Sequence, residues 1–459
     1  METRSVRMAF RRHGAKGDVR QDNRLAFMDQ ASFLALRARD QPQLIQWVWV
    51  YQRAVDFDGL KRFHHNLGYG LLGRLIERSP LPFGRHRWVA SDRGGDINIA
   101  APRARSDLSA WADERAQLPI DPEWGPGWHL GVLPFTDGST AVSLVASHCL
   151  VDGLGCGLAI ADAVKGITHD FGYPPPRSRT RPRALAYDMR QTLHGVPEVA
   201  RALAAATKLL RRQRRAVAQP KSPHSVPIAG GKDYVAVPAI TIHVDQVDWD
   251  LCARALGGTS NSLFIGFAAK LGERMGRRSA DDGTVRVIIT ASDRIEGDTR
   301  ANALSFTSVD VDPTQVTTDL SAVRAATKQA LRTLRETPDE SLAALPLTPL
   351  IPKRAVRGLG DDLFGFANLP VTSTNIGDVD PAVGRVDGTE ADCVFARGVD
   401  QKVTPQLVEQ KFFLGSGRIG GRVFITVVAY HLTGRNTKAE LRELARQVLA
   451  TFNLTASID

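Results

Sequence analysis

The sequence contains a histidine followed four residues later by an Asp-Gly pair, in Ser147 to Gly153 (Ser-His-Cys-Leu-Val-Asp-Gly). The preceding run, Thr140 to Ala146, is rich in apolar and β-branched residues and predicts a strand that ends at the histidine. A strand end holds a side chain rigidly, while the loop beyond it leaves room for a substrate. Because an imidazole titrates near neutral pH, His148 can take a proton from a hydroxyl or amine and return it to a leaving group.

The neighbours of His148 have supporting interpretations. A tight turn directs Asp152 back beneath the loop, where a buried basic partner can brace it, and Gly153 accepts a backbone conformation closed to other residues. Cys149 suggests a nucleophile, but neighbouring residues that leave a strand point in opposite directions, which favours a small buried thiol. Taken alone, this pattern is also typical of a structural histidine beside a capping aspartate.

The segment resembles the signature His-His-x-x-x-Asp-Gly of the CoA-dependent acyltransferase superfamily. This superfamily includes chloramphenicol acetyltransferase, peptide-synthetase condensation domains and the bacterial wax ester synthase/diacylglycerol acyltransferases, the last of which are the most similar. Further matches run in family order along nearly the whole chain. In the first half, Leu25 to Leu34 resembles the N-terminal Asp-x-x-Phe-Leu pattern of the family, and Pro126-Gly127-Trp128 resembles its Pro-Leu-Trp. In the second half, Thr259 to Ser262 resembles Thr-Val-Asn-Asp, and Ser292-Asp293-Arg294 with Asn302 resembles Ser-x-Arg and a later Asn. Near the C-terminus, Thr374 to Gly377 resembles Ser-Asn-Val-Pro-Gly.

The resemblance implies roles for these residues. His148 is the general base in a channel between two domains, and Asp152 and Asn375 are the other catalytic residues, with Asn375 donating to the oxyanion. Gly153 and Arg294 are structural, with Arg294 pairing with Asp152 across the domains. An acyl thioester and its acceptor enter from opposite faces, and no acyl-enzyme forms. The residues that the resemblance makes substrate-binding are Ser147, Trp128, Asn261, Ser292 and Ser373.

Some positions depart from the family pattern or have a second interpretation. Ser147 replaces the first His of the signature, Ser262 replaces an Asp, and the Pro expected after Ile376 is missing. These differences indicate a divergent substrate. An Asn in a Thr-Asn-x-Gly turn also commonly satisfies only local backbone groups, so a turn role for Asn375 stays open. His129 after Trp128 lines the acceptor channel or is a half-buried strand histidine.

A chain of 459 residues exceeds what one hydrophobic core usually organises, so we expect two domains. The glycine-rich run Gly415 to Gly421 precedes a strand, which predicts a hairpin turn rather than a phosphate loop. Periodicity predicts strands at 47–51, 131–134, 140–146, 284–290 and 421–429, a strand pair at 232–244, and helices at 154–165, 196–216, 260–275, 319–335 and 437–452.

The predicted fold class is α/β, with two chloramphenicol-acetyltransferase-like domains that form a pseudo-dimer with a channel between them, as the resemblance implies. The expected divisions are a basic N-terminal arm at 1–24, an N-terminal acyltransferase domain with the motif at 25–173, a basic Pro/Arg-rich crossover linker and helix at 174–231, and a C-terminal acyltransferase domain at 232–459.

The net charge of +10 resides in the crossover. Between Pro174 and Lys221 there are twelve Arg or Lys residues against two acidic ones, and the rest of the chain is balanced. A solvated connecting helix explains this segment, as does a surface that holds the phosphates of an acyl donor or carrier, or one that contacts anionic lipid. No zinc finger, RNP motif or aromatic-interleaved basic patch accompanies the charge, so we expect no nucleic-acid partner.

The sequence thus predicts a wax ester synthase/diacylglycerol acyltransferase-like enzyme. It moves an acyl group from an acyl-CoA or acyl-carrier thioester, the co-substrate, to a hydroxyl of a lipid-like or glycosidic acceptor. An amide-forming, condensation-type enzyme of natural-product assembly and a non-catalytic member of the fold are the alternatives. We expect no bound cofactor or metal, because the four cysteines lack zinc spacing. Without a signal peptide or long apolar run, a cytoplasmic protein is expected, with peripheral contact at the inner membrane through 174–221.

Overall fold

The computed structural model describes residues 23–91, 95–216, 234–337, 342–352 and 369–459, so nearly all of the predicted arm at 1–24 lies outside the described residues. In those ranges the helices are α1 Phe27–Arg39, α2 Phe57–Leu67, α3 Leu108–Gln117, α4 Gly153–Val164, α5 Arg181–His194, α6 Val196–Ala216, α7 Gln246–Ala255, α8 Ser260–Arg274, α9 Ser321–Glu336, α10 Pro405–Val408 and α11 Lys438–Thr451. Among them, none combines the length and the apolar character needed to cross a bilayer. The strands are β1 Gln43–Tyr51, β2 Arg74–Glu77, β3 Arg87–Ala90, β4 Asn98–Ile99, β5 Trp128–Pro134, β6 Thr140–Ser147, β7 Ala239–Asp245, β8 Val285–Ser292, β9 Leu304–Val311, β10 Val371–Asp378, β11 Cys393–Asp400, β12 Phe412–Ile419, β13 Arg422–Ala429 and β14 Ser457–Ile458.

The first sheet has the strand order β11-β1-β6-β5-β4, so β6 is its central strand. β5 and β6 form a hairpin, with Trp128 opposite Ala146. β6 also pairs antiparallel with β1, with Ser147 opposite Leu44. All eight residues of β6 are buried, because this strand is covered on both faces of the sheet. The strand that leads to His148 is therefore held on both sides.

The second sheet has the order β14-β7-β13-β12-β10-β8-β9. Strand β10 lies parallel to both β8 and β12, whereas β12, β13 and β7 are antiparallel neighbours. Helices α8 and α11 pack against this sheet and bury Phe264, Phe267 and Leu449 in its core. Ile376 of β10, the residue after Asn375, packs against the core of the first half.

Helix α8 begins with a capping box. The Thr259 hydroxyl accepts from the Ser262 backbone N–H at 3.2 Å, and the Ser262 hydroxyl accepts from the Thr259 N–H at 2.9 Å. This reciprocal pair satisfies two backbone groups that a helix start otherwise leaves without partners. Ser262, one of the departures from the family pattern, therefore has a structural role.

Strand β11 comes from the later half of the chain but lies in the first sheet. It pairs antiparallel with β1, with Gln43 opposite Asp400 and Val50 opposite Cys393. Its buried Arg397 donates through Nε to Gln46 Oε1 at 2.7 Å. The division predicted at residue 231 thus separates the two sheets except for this strand, whose main-chain hydrogen bonds fix the two halves relative to each other.

Two predicted elements differ from the structure. The range 232–244 contributes one strand, β7, because Tyr234 to Pro238 have no regular structure and Pro238 has no N–H for a ladder. The run predicted as a turn at Gly415 to Gly421 is mostly the end of β12. Only Gly420 and Gly421 form the turn, both with positive φ (56° and 72°), which glycine adopts without a Cβ clash.

Candidate active site

His148 lies in the turn directly after β6. Its N–H donates to Gln43 O at 2.9 Å, and its carbonyl accepts from Asn302 Nδ2 at 3.1 Å, so both halves of the chain hold its backbone. The side chain is half-buried. No group in the described ranges hydrogen-bonds the imidazole, which leaves both ring nitrogens available to a ligand.

Asp152 is fully buried at the start of α4. Its Oδ1 accepts from the Gly155 N–H at 2.7 Å and caps the helix, and its Oδ2 accepts from Arg294 Nη2 at 2.7 Å and from the Ala303 N–H at 2.9 Å. The predicted brace is therefore present. It uses one guanidinium nitrogen rather than two, because the helix cap occupies the other carboxylate oxygen.

Arg294 extends this brace into the second half. Only 3% of its side chain is exposed, and besides Asp152 it donates to the carbonyls of Asp298, Arg300 and Ala301 at 3.2, 3.1 and 3.0 Å. These carbonyls belong to the loop from 298 to 303, which we call the clamp loop. The guanidinium thus joins the His148 turn to the clamp loop.

The glycine that this packing requires is Gly155 rather than Gly153. A Cβ at Gly155 would lie 2.9 Å from Arg294 Nη2, too close for any side chain. Gly153 is the first residue of α4, and its φ is not positive, so the special conformation predicted for it is wrong. A Cβ there would lie at an ordinary 3.7 Å from Ile376 Cγ2, which shows that β10 approaches this turn.

Asp29 is a site residue to which sequence reasoning gave no role. It is fully buried on α1, and its carboxylate oxygens accept from the clamp-loop N–H groups of Ala301 at 2.9 Å and Asn302 at 2.8 Å. Burial raises the pKa of Asp29, opposed by these hydrogen bonds and by Arg74. The sequence did hold one signal for Asp29, because it lies within Leu25 to Leu34, the segment that resembles the N-terminal pattern of the family.

Arg74 is a second missed residue. It is fully buried on β2, donates to Leu150 O at 2.9 Å and Thr299 O at 2.5 Å, and lies 3.7 Å above the Trp88 ring. Burial lowers its pKa, opposed by the nearby Tyr173 and Asp29. Nothing in the sequence around Arg74 pointed to these contacts. With Asp29, Asp152 and Arg294, it completes four buried charged side chains around the His148 turn and the clamp loop.

Asn375 and Asn261 lie side by side. Asn375 Nδ2 donates to Asn261 Oδ1 at 3.0 Å, and Asn375 Oδ1 accepts from the Gly377 N–H at 2.9 Å. The turn role considered for Asn375 from the sequence, a contact with a nearby backbone group, is therefore present. The amide still has a second Nδ2 hydrogen beyond the Asn261 bond. Both side chains are half-buried, and Ile376 follows Asn375 directly on the strand that approaches Gly153.

Trp128 and Ser373, predicted as substrate-binding, are structural. The Trp128 side chain is 1% exposed in the core of the first half, where its indole N–H donates to Leu72 O at 3.0 Å. Ser373 is 2% exposed, and its hydroxyl donates to Ile288 O of the neighbouring strand at 2.9 Å. Both side chains point into packed layers, so neither position lines a binding surface.

Ser147 and Ser292 support the backbone. The Ser147 hydroxyl, 2% exposed, accepts from the Cys149 N–H at 3.3 Å. The Ser292 hydroxyl accepts from the Arg294 N–H at 3.2 Å. Each hydroxyl braces the residue two positions ahead, Cys149 and Arg294 respectively. The Ser147 hydroxyl is too buried to line a binding surface, whereas Ser292 is exposed and its substrate contact stays a prediction.

Cys149 is a buried thiol and His129 a half-buried strand histidine, as the simpler interpretation of each predicted. Burial raises the pKa of Cys149 to about 12, so its thiol stays protonated and is no nucleophile. His129 is held by Arg115, whose Nη2 lies 2.7 Å from His129 Nδ1. Burial and the adjacent guanidinium lower the pKa of His129 to about 4, which keeps this imidazole neutral.

A cavity of about 470 Å³ lies near the clamp loop. Asn302, whose side chain bonds the His148 carbonyl, is part of its wall, whereas His148 itself is not among its lining residues. Its volume is in the range of pockets that hold small organic ligands. Its lining is largely apolar and comes from the start of α1, from α6, from the segment around the clamp loop and from the 3-10 helix Leu342–Leu350.

Comparison with known proteins identifies the fold. No family model and no curated protein sequence matches the chain. Among solved structures, the first condensation domain of the calcium-dependent antibiotic synthetase has a TM-score of 0.58 at 12% identity, with 93% of this chain and 95% of that chain covered. Polyketide synthase associated protein 5 from Mycobacterium tuberculosis has a TM-score of 0.53 at 15% identity, with 94% and 97% covered.

The starter condensation domain of rhizomide synthetase gives a TM-score of 0.53 at 13% identity, covering 94% and 93%. The chain therefore has the condensation-domain fold, with two chloramphenicol-acetyltransferase-like α/β domains, as expected from the sequence. No comparison shows the expected closeness to wax ester synthases.

Proposed function

We propose that the chain transfers an acyl group from a thioester to a nucleophilic acceptor, with His148 as the general base. One observation carries this proposal. The imidazole has no hydrogen-bond partner in the described ranges, while its backbone is fixed by Gln43 and Asn302. Direct acyl transfer requires a base that is held in place and whose ring nitrogen can accept a proton.

The proposed chemistry is a single addition and elimination without an acyl-enzyme. His148 takes the proton of the acceptor N–H or O–H as that atom bonds to the thioester carbonyl carbon. The resulting oxyanion collapses, the carbon–sulfur bond breaks, and the imidazolium returns the proton to the thiolate. Half-burial of His148 limits access of water, which would otherwise hydrolyse the thioester.

Asn375 is the donor that we propose for the oxyanion. Its Oδ1 is fixed by Gly377 and one Nδ2 hydrogen by Asn261, so the amide plane is held and the second hydrogen is available. Pre-orientation of this kind lets a donor stabilise developing charge without reorganisation. Asn261 is then a positioning residue that acts through Asn375.

We propose an amine as the acceptor, so that the product is an amide. The similar solved structures named above include two condensation domains of synthetases, which favours this alternative over the hydroxyl acceptor that we expected from the sequence. Transfer to a hydroxyl of a lipid-like or glycosidic acceptor is the second candidate. Its support is the resemblance of the sequence motifs to the wax ester synthase/diacylglycerol acyltransferases.

We propose that the donor is an acyl group on a carrier protein, with acyl-CoA as the alternative thioester. The basic crossover offers charge for the donor's phosphates, and the sequence of α6 within it carries Arg211, Arg212, Arg214 and Arg215 near its end. Replacing these four by Gln should raise KM for the donor, more at low salt than at high salt, because salt weakens the attraction between charges and limits it to about 8 Å at physiological ionic strength. An unchanged KM would remove this segment from donor binding.

The test is a product screen by mass spectrometry. Purified protein is mixed with acyl-CoA or acyl-carrier donors of several chain lengths and with separate panels of amines and alcohols. We expect amide products that vanish with His148→Ala. Ester products only would favour the hydroxyl acceptor, whereas no turnover with any pair, or equal turnover by His148→Ala, would contradict the proposal and favour a non-catalytic member of the fold.

A further inference from the structure

Helix α5 carries an apolar stripe on its solvent face. Leu185, Met189 and Leu193 are 42%, 43% and 63% exposed. Each four-residue step advances a helix by about 40° beyond one full turn, so the three side chains form one continuous stripe. Amphipathic helices normally turn such a stripe towards the core. Here the core side of the helix carries Ala184 and Asp188 instead.

Arginines lie at one end of this stripe and along one side of it. Arg181 precedes Leu185 by one four-residue step, and Arg183 and Arg190, seven residues apart, lie on a common face about 60° around the axis from Leu193. All three arginines are exposed. The one acidic residue of α5, Asp188, is buried and bonded by Ser79 at 2.6 Å and Arg179 at 2.9 Å, so it does not neutralise this face.

We propose that this face of α5, made of Arg181, Arg183, Leu185, Met189, Arg190 and Leu193 and called here the α5 surface, docks on the surface of an anionic lipid bilayer. An apolar stripe with arginines at one end and along one side matches the interface of such a bilayer. The leucine and methionine side chains enter the boundary between headgroups and acyl chains, and the guanidinium groups bind the lipid phosphates. The helix lies parallel to the membrane.

The charge of the α5 surface also argues against docking of another segment of the same chain on it. The longer segments outside the described ranges are 1–22, 217–233 and 353–368, and each has more basic than acidic residues. Docking any of them on the α5 surface would bring like charges together. An anionic partner without fixed shape, such as a phospholipid headgroup layer, fits an exposed stripe on the solvent face of a helix.

The test is cosedimentation of the full chain with vesicles, in the absence of any substrate. Wild-type protein should bind vesicles of phosphatidylcholine with phosphatidylglycerol at least about tenfold more tightly than phosphatidylcholine alone. Arg183→Gln/Arg190→Gln should weaken binding to the anionic vesicles about 30-fold, about fivefold for each arginine. Leu185→Ser/Met189→Ser/Leu193→Ser should weaken it about 100-fold.

The matched control is Val247→Ser/Leu251→Ser on α7, where the side chains are 63% and 52% exposed. It should bind vesicles like wild type, and circular dichroism should show every variant folded. Wild-type affinity in both α5 variants, or equal binding to neutral and anionic vesicles, would overturn the proposal. So would a dimer in analytical ultracentrifugation that the triple serine variant dissolves, since the α5 surface would then be a contact between two copies. Because no turnover is measured, the outcome is independent of the proposed function.

Discussion

Asp152 of the first half and Arg294 of the second half meet at 2.7 Å between Oδ2 and Nη2, with both side chains almost completely buried. Around this ion pair, the backbone of the clamp loop is bonded by Asp29, Asp152, Arg74 and Arg294. The turn with His148 and a loop from the other half are therefore one hydrogen-bonded unit. The position of His148 is held in this way by contacts that join the two halves.

Loss of the Asp152 carboxylate should destabilise the protein strongly. Asp152→Ala leaves the Arg294 charge buried and removes the cap of α4, so we expect a loss of about 3 to 5 kcal/mol in the free energy of unfolding, measured in urea. Asp162→Ala on the same helix is the control. Its partner His169 is exposed, so the loss should stay below about 1 kcal/mol.

The pair itself can be isolated with a double-mutant cycle. Asp152→Asn and Arg294→Gln keep the side-chain sizes while removing the charges, and their combined effect should be smaller than the sum of the single effects. Coupling energies between contacting residues commonly lie between about 0.5 and 3 kcal/mol. Additive losses would show that the two residues do not brace each other.

His148→Ala should abolish acyl transfer with little change in stability. The imidazole makes no hydrogen bond in the described ranges, and general base catalysis contributes about 10² to 10⁴ in rate. Rates come from steady-state kinetics and stability from the urea midpoint. Ser147→Ala is the matched variant and should keep most activity, because its hydroxyl only accepts from the Cys149 N–H. A comparable loss in Ser147→Ala would assign that hydroxyl a chemical role.

Asn375→Ala should lower kcat about 10² to 10³-fold if its amide stabilises the oxyanion. Substrate KM should change little, because the interaction forms in the transition state. Asn261→Ala should lower kcat less, since it removes only the bond that orients Asn375. If Asn375→Ala lowers stability but leaves kcat unchanged, its role is confined to the turn with Gly377.

His129 should contribute to loss of stability at acidic pH. Its folded pKa of about 4 lies below the ordinary 6.5, so as pH falls the unfolded chain binds the proton first. The stability is present above pH 6.5 and is lost between 6.5 and 4, which amounts to about 2 kcal/mol from pH 7.5 to pH 5. His129→Gln keeps an acceptor for Arg115 but cannot titrate. Its urea-unfolding free energy should fall about 2 kcal/mol less over this interval, and an identical pH profile would contradict the prediction.

Many contacts of the site were beyond prediction because they join distant parts of the chain. Arg74 donates to Leu150 and Thr299, which are 76 and 225 residues away. The burial of Trp128 and Ser373 likewise follows from which face of each strand meets a packed layer. Family resemblance supplied the partners Asp152 and Arg294, but it also placed substrate contacts at these two buried positions.

Short-range sequence patterns were enough to locate the elements on either side of the histidine. Apolar runs, turn residues and helical spacing act over a few neighbouring residues, so they predicted a strand at 140–146 and a helix at 154–165, each within one residue of β6 and α4. The crossing of β11, the contacts of Asp29 and Arg74, and the exposed stripe of α5 appear only in the folded protein. These depend on which surfaces meet when the two halves pack, and the energy of such contacts is not encoded in the spacing of any one segment.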